Sequence, residues 1–72
     1  MIDSGFRDVT GRISILLAES PIAEVRRVRV EQQGDQVFLQ GRVRTFYAKQ
    51  MAQETIRRAA GDLQIVNSVN VE

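Results

Sequence analysis

The chain has 72 residues, contains neither cysteine nor histidine, and carries a formal net charge of +1. A chain of this length forms one domain and buries only about 60% of its unfolded surface, which leaves little room for a deep enzyme cleft. The missing cysteine and histidine exclude disulfides, typical zinc sites, thiol nucleophiles and imidazole catalysis. The carboxylates show no paired acid-base spacing, so we expect no catalytic residue, metal site or cofactor.

Nine of the ten basic residues are arginines, and their placement is more informative than the small net charge. The longest apolar run, residues 13–18, is six residues long and contains a serine. It is too short for a membrane span and does not resemble a signal peptide. We therefore expect a soluble, single domain over residues 1–72.

The first predicted element is an amphipathic helix that begins at Asp3 or Ser4, both suitable N-caps, and ends at Ser20 and Pro21. Its apolar residues recur mainly at spacings of three and four, as a helix with one buried face requires. They are Phe6, Val9, Ile13, Leu16 and Leu17.

An antiparallel hairpin is predicted next, with its turn in residues 32–36. In its first strand, valines alternate with charged residues, so that the two sets face opposite sides. The valines are Val28 and Val30, and the charged residues are Arg27, Arg29 and Glu31.

The second strand, residues 37–45, has an apolar residue or glycine at every second position: Val37, Leu39, Gly41 and Val43. A glycine weakens a strand unless another part of the chain must approach its backbone closely. We expect the second helix to lie over Gly41 through Ala48 and Ala52. The alternative is a simple bulge at Gly41.

The second helix is predicted to begin after Thr45, a good N-cap, and to end at Gly61. Phe46 and Tyr47 are expected to be core residues at the corner before it. Its apolar stripe consists of Ala48, Met51, Ala52, Thr55, Ile56 and Ala59. The alternating residues of a third strand follow: Leu63, Ile65, Val69 and Val71, around Asn67.

These elements predict an α+β domain of order α-β-β-α-β. Each helix has one apolar stripe and each strand one strongly apolar face, so both helices should pack on one face of a three-stranded sheet. The third strand would lie beside the second, giving a mixed sheet, or beside the first, giving an antiparallel one.

The opposite sheet face is the candidate binding site. Its alternation brings four arginines near an aromatic ring, and forked guanidinium groups bind anionic oxygens well. The candidate residues are Arg27, Arg29, Phe38, Arg42 and Arg44. The alternative is an ordinary solvated face with Arg-Glu pairs across strands. Lys49, Arg57 and Arg58 form a second basic group on the outer side of the second helix. Arg57 and Arg58 are near its C-terminus, where interaction with the helix dipole is a sufficient structural role.

The chain resembles the BON domain family, small bacterial modules of envelope and osmotic-stress proteins. The residues that carry the resemblance are Val37, Leu39, Gly41 and Val43 in the second strand, Ala48, Ala52 and Ile56 in the helix, Gly61 after it, Ile65, Asn67, Val69 and Val71 in the last strand, and Ser20, Pro21 and Ile22 after the first helix. Asp35 and Asp62 depart from the family's usual loop residues.

The resemblance implies a non-enzymatic module that associates with phospholipid membranes or envelope proteins, and a periplasmic or cell-envelope location. The alternative is a protein interaction module that uses an exposed strand edge or the Phe38 face. The modest charge and the lack of a glycine-rich clamp loop disfavour nucleic acid as a partner. No oligomeric state is predicted.

Overall fold

Over residues 4–72 the chain forms two α-helices and a sheet in the predicted order α-β-β-α-β. A computed structural model describes residues 4–72, with side chains from Val9 onward. The predicted caps Asp3 and Ser4 and the predicted core residue Phe6 lie outside the described side chains. The elements are α1 (Ser4–Ala18), a 3-10 turn (Val25–Arg27), β1 (Arg29–Gln33), β2 (Gln36–Gln40), β3 (Arg42–Val43), α2 (Phe46–Ala60), β4 (Gln64–Asn67) and β5 (Asn70–Val71).

The sheet is mixed, which decides between the two arrangements that the sequence left open. β1 pairs antiparallel with β2, and β2 pairs in parallel with β4, in the order β1-β2-β4. The third predicted strand therefore lies beside the second, after a crossover through α2. Each of these two predicted strands is divided in two, and their end segments form the short parallel pair of β3 and β5.

Gly41 separates β2 from β3 without disturbing the pairing with the third strand. Paired residues differ by 28 in number on both sides of the glycine, as in Gln36 with Gln64 and Arg42 with Asn70, so the register is unchanged. Across the break, the backbone N–H of Asn70 donates to the carbonyl oxygen of Gly41 at 2.9 Å. Gly41 has a φ of 140°, which residues with a side chain rarely adopt.

The close neighbour of Gly41 is the chain that leads into β1, so the prediction that α2 lies over this glycine is wrong. A Cβ atom on Gly41 would lie 3.6 Å from the Arg27 carbonyl oxygen and 3.6 Å from the Val28 Cα. These are ordinary contact distances. The backbone conformation, rather than lack of space, is what requires glycine here.

Both helices pack on one face of the sheet, as predicted. α1 contacts α2 and β1, whereas α2 also contacts β2 and β4. Thr45 caps α2, because its Oγ1 accepts a hydrogen bond from the Ala48 N–H at 3.0 Å. The buried apolar residues form one cluster between the helices and the sheet: Ile13, Leu17, Val25, Val28, Val37, Leu39, Val43, Ala48, Ala52, Ile56, Ala60 and Val69.

Two further predictions about individual residues are wrong. Arg27 lies in the 3-10 turn and not in a strand, because the Val28 N–H donates locally to the Val25 carbonyl oxygen at 3.1 Å. Phe46 and Tyr47, predicted as core, are 68% and 64% exposed. The alanine stripe of α2 faces the sheet, and the first turn of the helix directs both aromatic side chains toward solvent.

Asn67 joins α2 to β4 through its side-chain amide. Its Nδ2 donates to the Lys49 carbonyl oxygen at 3.0 Å and to the Gln53 Oε1 at 3.2 Å. Its Oδ1 accepts a hydrogen bond from the Val69 N–H at 3.2 Å. The residue thus fixes the helix and also satisfies a backbone donor at the step from β4 to β5.

We expect Asn67→Ala to lower the free energy of unfolding by about 2 kcal/mol, because three partly buried hydrogen bonds are lost at about 1 kcal/mol each or less. Asn67→Asp should also be destabilised, since a carboxylate cannot donate to the Lys49 carbonyl oxygen. Urea denaturation would measure both changes. Losses below about 0.5 kcal/mol in both variants would contradict the role of Asn67.

Gly41→Ala should lower the free energy of unfolding by about 1–3 kcal/mol, because alanine is strained at this φ. Gly11→Ala is the matched control. Gly11 is exposed within α1, and beyond the local helix backbone no described atom lies within 4 Å of its Cβ position, so alanine there should stabilise the helix by up to about 1 kcal/mol. Thermal unfolding of both variants would test this, and an unchanged midpoint for Gly41→Ala would disprove the strain.

Candidate functional site

The face of the sheet opposite the helices, here called the open face, carries the side chains that alternation predicts. Directly paired strand residues share a face, and the register pairs Arg29 with Gln40, Glu31 with Phe38, and Phe38 with Val66. The ring of Phe38 is half-buried between its neighbours. The centre of the open face is therefore apolar, with a carboxylate on one side.

A shallow depression with a volume of about 700 Å³ lies at the end of the open face where β2 gives way to β3. Three arginines from three different segments line it, here called the arginine depression: Arg27 from the 3-10 turn, Arg29 from β1 and Arg42 from β3. Gln40, Gly41, Ser68 and Asn70 complete its lining. The three guanidinium groups can therefore approach one anionic group from different sides.

The structure brings three of the five predicted site residues together. Arg27, Arg29 and Arg42 line the arginine depression, although Arg27 reaches it from the turn rather than from a strand. Phe38 lies on the same face but does not line the depression. Arg44 follows β3 and does not line it either; its backbone N–H donates to the Glu24 Oε2 at 2.7 Å.

The charge of the arginine depression is positive but partly offset. Arg42 Nε lies 3.5 Å from Glu72 Oε2, in a pair whose side chains are 77% and 60% exposed. A pair this exposed contributes little to stability and remains open to exchange with another anion. Among the side chains of residues 9–72, Arg27 and Arg29 form no ion pair. Among the described side chains, Glu72 alone pairs with an arginine of the depression, so the predicted Arg-Glu pairing accounts for one of its three cations.

A second surface, not expected from the sequence, lies beside α2. An open groove of about 250 Å³, here called the α2 groove, runs between the outer side of α2 and the end of β4. It is lined by Phe46, Lys49, Gln50, Gln53, Glu54 and Asn67. Helical periodicity would have indicated part of it, because residues 46, 49, 50 and 53 share one flank of α2, next to its buried alanine stripe.

The basic group predicted on α2 is not one site. Lys49 belongs to the α2 groove, whereas Arg57 forms an ion pair with Glu54, with 3.3 Å between Nη2 and Oε1. Arg57 and Arg58 lie in the last turn of α2, where cations favour the helix dipole. Neither helix in the described part of the chain is long and apolar enough to cross a membrane.

Comparison with known proteins agrees with this architecture. The model of the BON domain family matches residues 7–72, which include most of α1, all of α2, the described strands and the arginine depression. No curated protein shows a significant match to the chain.

Proposed function

The chain belongs to the BON domain family, non-catalytic domains to which phospholipid binding has been attributed, and from this premise we propose that it associates with anionic phospholipid surfaces through the open face of its sheet. The observation that carries the proposal is the convergence of Arg27, Arg29 and Arg42 on the arginine depression. A periplasmic or cell-envelope location belongs to the same proposal, since the family is often found there.

The chemistry of the depression suits a phosphate headgroup. Guanidinium groups donate paired N–H bonds to phosphate oxygens, and three arginines line the same depression. The hydroxyl of Ser68 and the amide of Asn70 add uncharged donors at the opposite side. Phe38 and Val66 provide an apolar area beside the charges, which can lie against the interfacial region of a bilayer.

The same arrangement limits how strong the association can be. Each basic residue near an anionic membrane contributes about 1 kcal/mol, so the three arginines supply at most about 3 kcal/mol. Glu31 on the open face and Glu72 beside Arg42 reduce this. A single domain should therefore bind weakly, and its binding should fall as salt screens the exposed charges.

We expect the double variant Arg27→Gln with Arg29→Gln to lower the partition coefficient for anionic vesicles at least about tenfold, because it removes two contributions of about 1 kcal/mol each. The matched control, Arg57→Gln with Arg58→Gln, removes the same charge from α2 and should bind nearly as the parent does. Co-sedimentation with phosphatidylglycerol vesicles and with neutral phosphatidylcholine vesicles would measure both.

All these arginines are exposed, so both variants should keep the parent's circular dichroism spectrum and thermal midpoint. If the Arg57→Gln, Arg58→Gln control lost more vesicle binding than the Arg27→Gln, Arg29→Gln variant, the lipid contact would lie on the helix side of the domain. Absence of binding by the parent itself, at low salt, would disprove the lipid proposal and favour an envelope protein as the partner.

A further inference from the structure

β4 forms a free edge of the sheet, next to the α2 groove. Within the described residues it pairs only with β2. The backbone N–H groups of Gln64 and Ser68 donate to Asp35 and Leu39 on that side, at 2.8 Å each. Because backbone groups alternate along a strand, the N–H and C=O groups of Ile65 and Asn67 point away from β2, where they can form hydrogen bonds with another strand.

β4 is a short edge of four residues, but it carries neither charge nor proline, two features that usually protect an edge. Exposed edge strands commonly carry charges, proline or a bulge that discourage pairing with another chain. Residues 63–71 contain no charged residue and no proline. The other edge, β1, carries both Arg29 and Glu31. The side chains of β4 therefore place no charge in the way of pairing with another chain.

The α2 groove lies where the side chains of an added strand would point. It is already formed, because the Asn67 amide holds Lys49 and Gln53 of α2 at a fixed separation from β4. Its volume of about 250 Å³ lies below the range of roughly 300–1,000 Å³ typical of small-molecule pockets. An open groove beside a free strand edge suits an extended peptide better than a compact ligand.

Two side chains of the groove define what such a peptide would carry. Phe46 is 68% exposed and presents an apolar surface. Lys49, one helical turn further on, has no ion pair among the described side chains, whereas Glu54 is paired with Arg57. Residues three apart on a helix, such as Phe46 and Lys49, are offset by about 4.5 Å along its axis, and successive same-face residues of a strand are about 7 Å apart. Two successive same-face side chains of a peptide strand can therefore reach Phe46 and Lys49.

We propose that an extended segment of another protein adds to β4 as a strand, and that it places an apolar side chain against Phe46 and a carboxylate at Lys49. The two peptide residues are separated by one residue, because only alternate side chains of a strand face the groove. Specificity comes from these two contacts, and the backbone hydrogen bonds to Ile65 and Asn67 supply contacts that any sequence can make.

A second copy of this chain fits the edge poorly. Pairing of β4 with a second β4 would bring no carboxylate to Lys49, since residues 63–71 are uncharged. The β1 strand does contain an apolar residue and a carboxylate, but Val30 and Glu31 are adjacent and point to opposite faces. Neither edge strand of a second copy therefore offers the required alternation, and the proposed occupant is a segment of another protein.

The test is selection of random linear peptides, displayed on phage, against the purified domain. We expect enrichment of peptides with an apolar residue two positions from an aspartate or glutamate. Amide chemical-shift changes on adding a selected synthetic peptide should centre on residues 64–67 and on Phe46 to Gln53. N-methylation of the peptide backbone should abolish binding at every second position only, which is the signature of strand addition.

Lys49→Gln should lower the affinity for the selected peptide at least tenfold. Arg58→Gln, the same loss of charge outside the groove, should leave the affinity unchanged. Four results would overturn the proposal: no enrichment of such peptides, shift changes centred on the arginine depression, N-methylation effects without alternation, or equal weakening in both variants. Concentration-dependent dimerisation that protects the β4 amides would assign the edge to self-association instead.

Discussion

The backbone of Gly41 is the constraint on which the arrangement of this domain depends. Its φ of 140° turns the chain from β2 into β3 while the parallel pairing with the third strand continues on both sides. The Arg27 carbonyl and Val28 lie against the place where a side chain would begin. The same local geometry brings the 3-10 turn, the start of β1 and the start of β3 to one depression, which Arg27, Arg29 and Arg42 line.

The position of α2 follows from small side chains on one side and a polar contact on the other. Ala48, Ala52 and Ala60 are fully buried against the sheet, which allows the helix axis to approach the strands closely. Asn67 then ties the outer side of the helix to β4 by two hydrogen bonds. In a chain of 72 residues with a small core, such directional contacts determine where the helix lies, and apolar burial determines that it docks at all.

Periodicity predicted the elements because it reports burial, and burial is what distinguishes the two faces of each helix and strand. It could not distinguish a strand from the 3-10 turn at Arg27, since Val25 and Val28 are buried in either conformation. Gly41 indicated a close approach but did not identify the neighbour. The hairpin register contained that information, because pairing Gln33 with Gln36 places Val28 opposite Gly41. Phe46 was misassigned because a large apolar residue at a helix start was treated as core, although the alanine stripe already filled that side.

The two candidate surfaces meet at β4, and this has a consequence for how they would act together. An added strand would direct alternate side chains to the α2 groove and the others to the open face, beside Gln64, Val66 and Ser68. Ser68 also lines the arginine depression. A bound peptide with a carboxylate on its open-face side would therefore compete with phosphate headgroups for the arginines, whereas one with a basic residue there would extend the positive surface. The charge on the residues that do not enter the groove would decide whether a peptide partner and an anionic membrane exclude or reinforce each other.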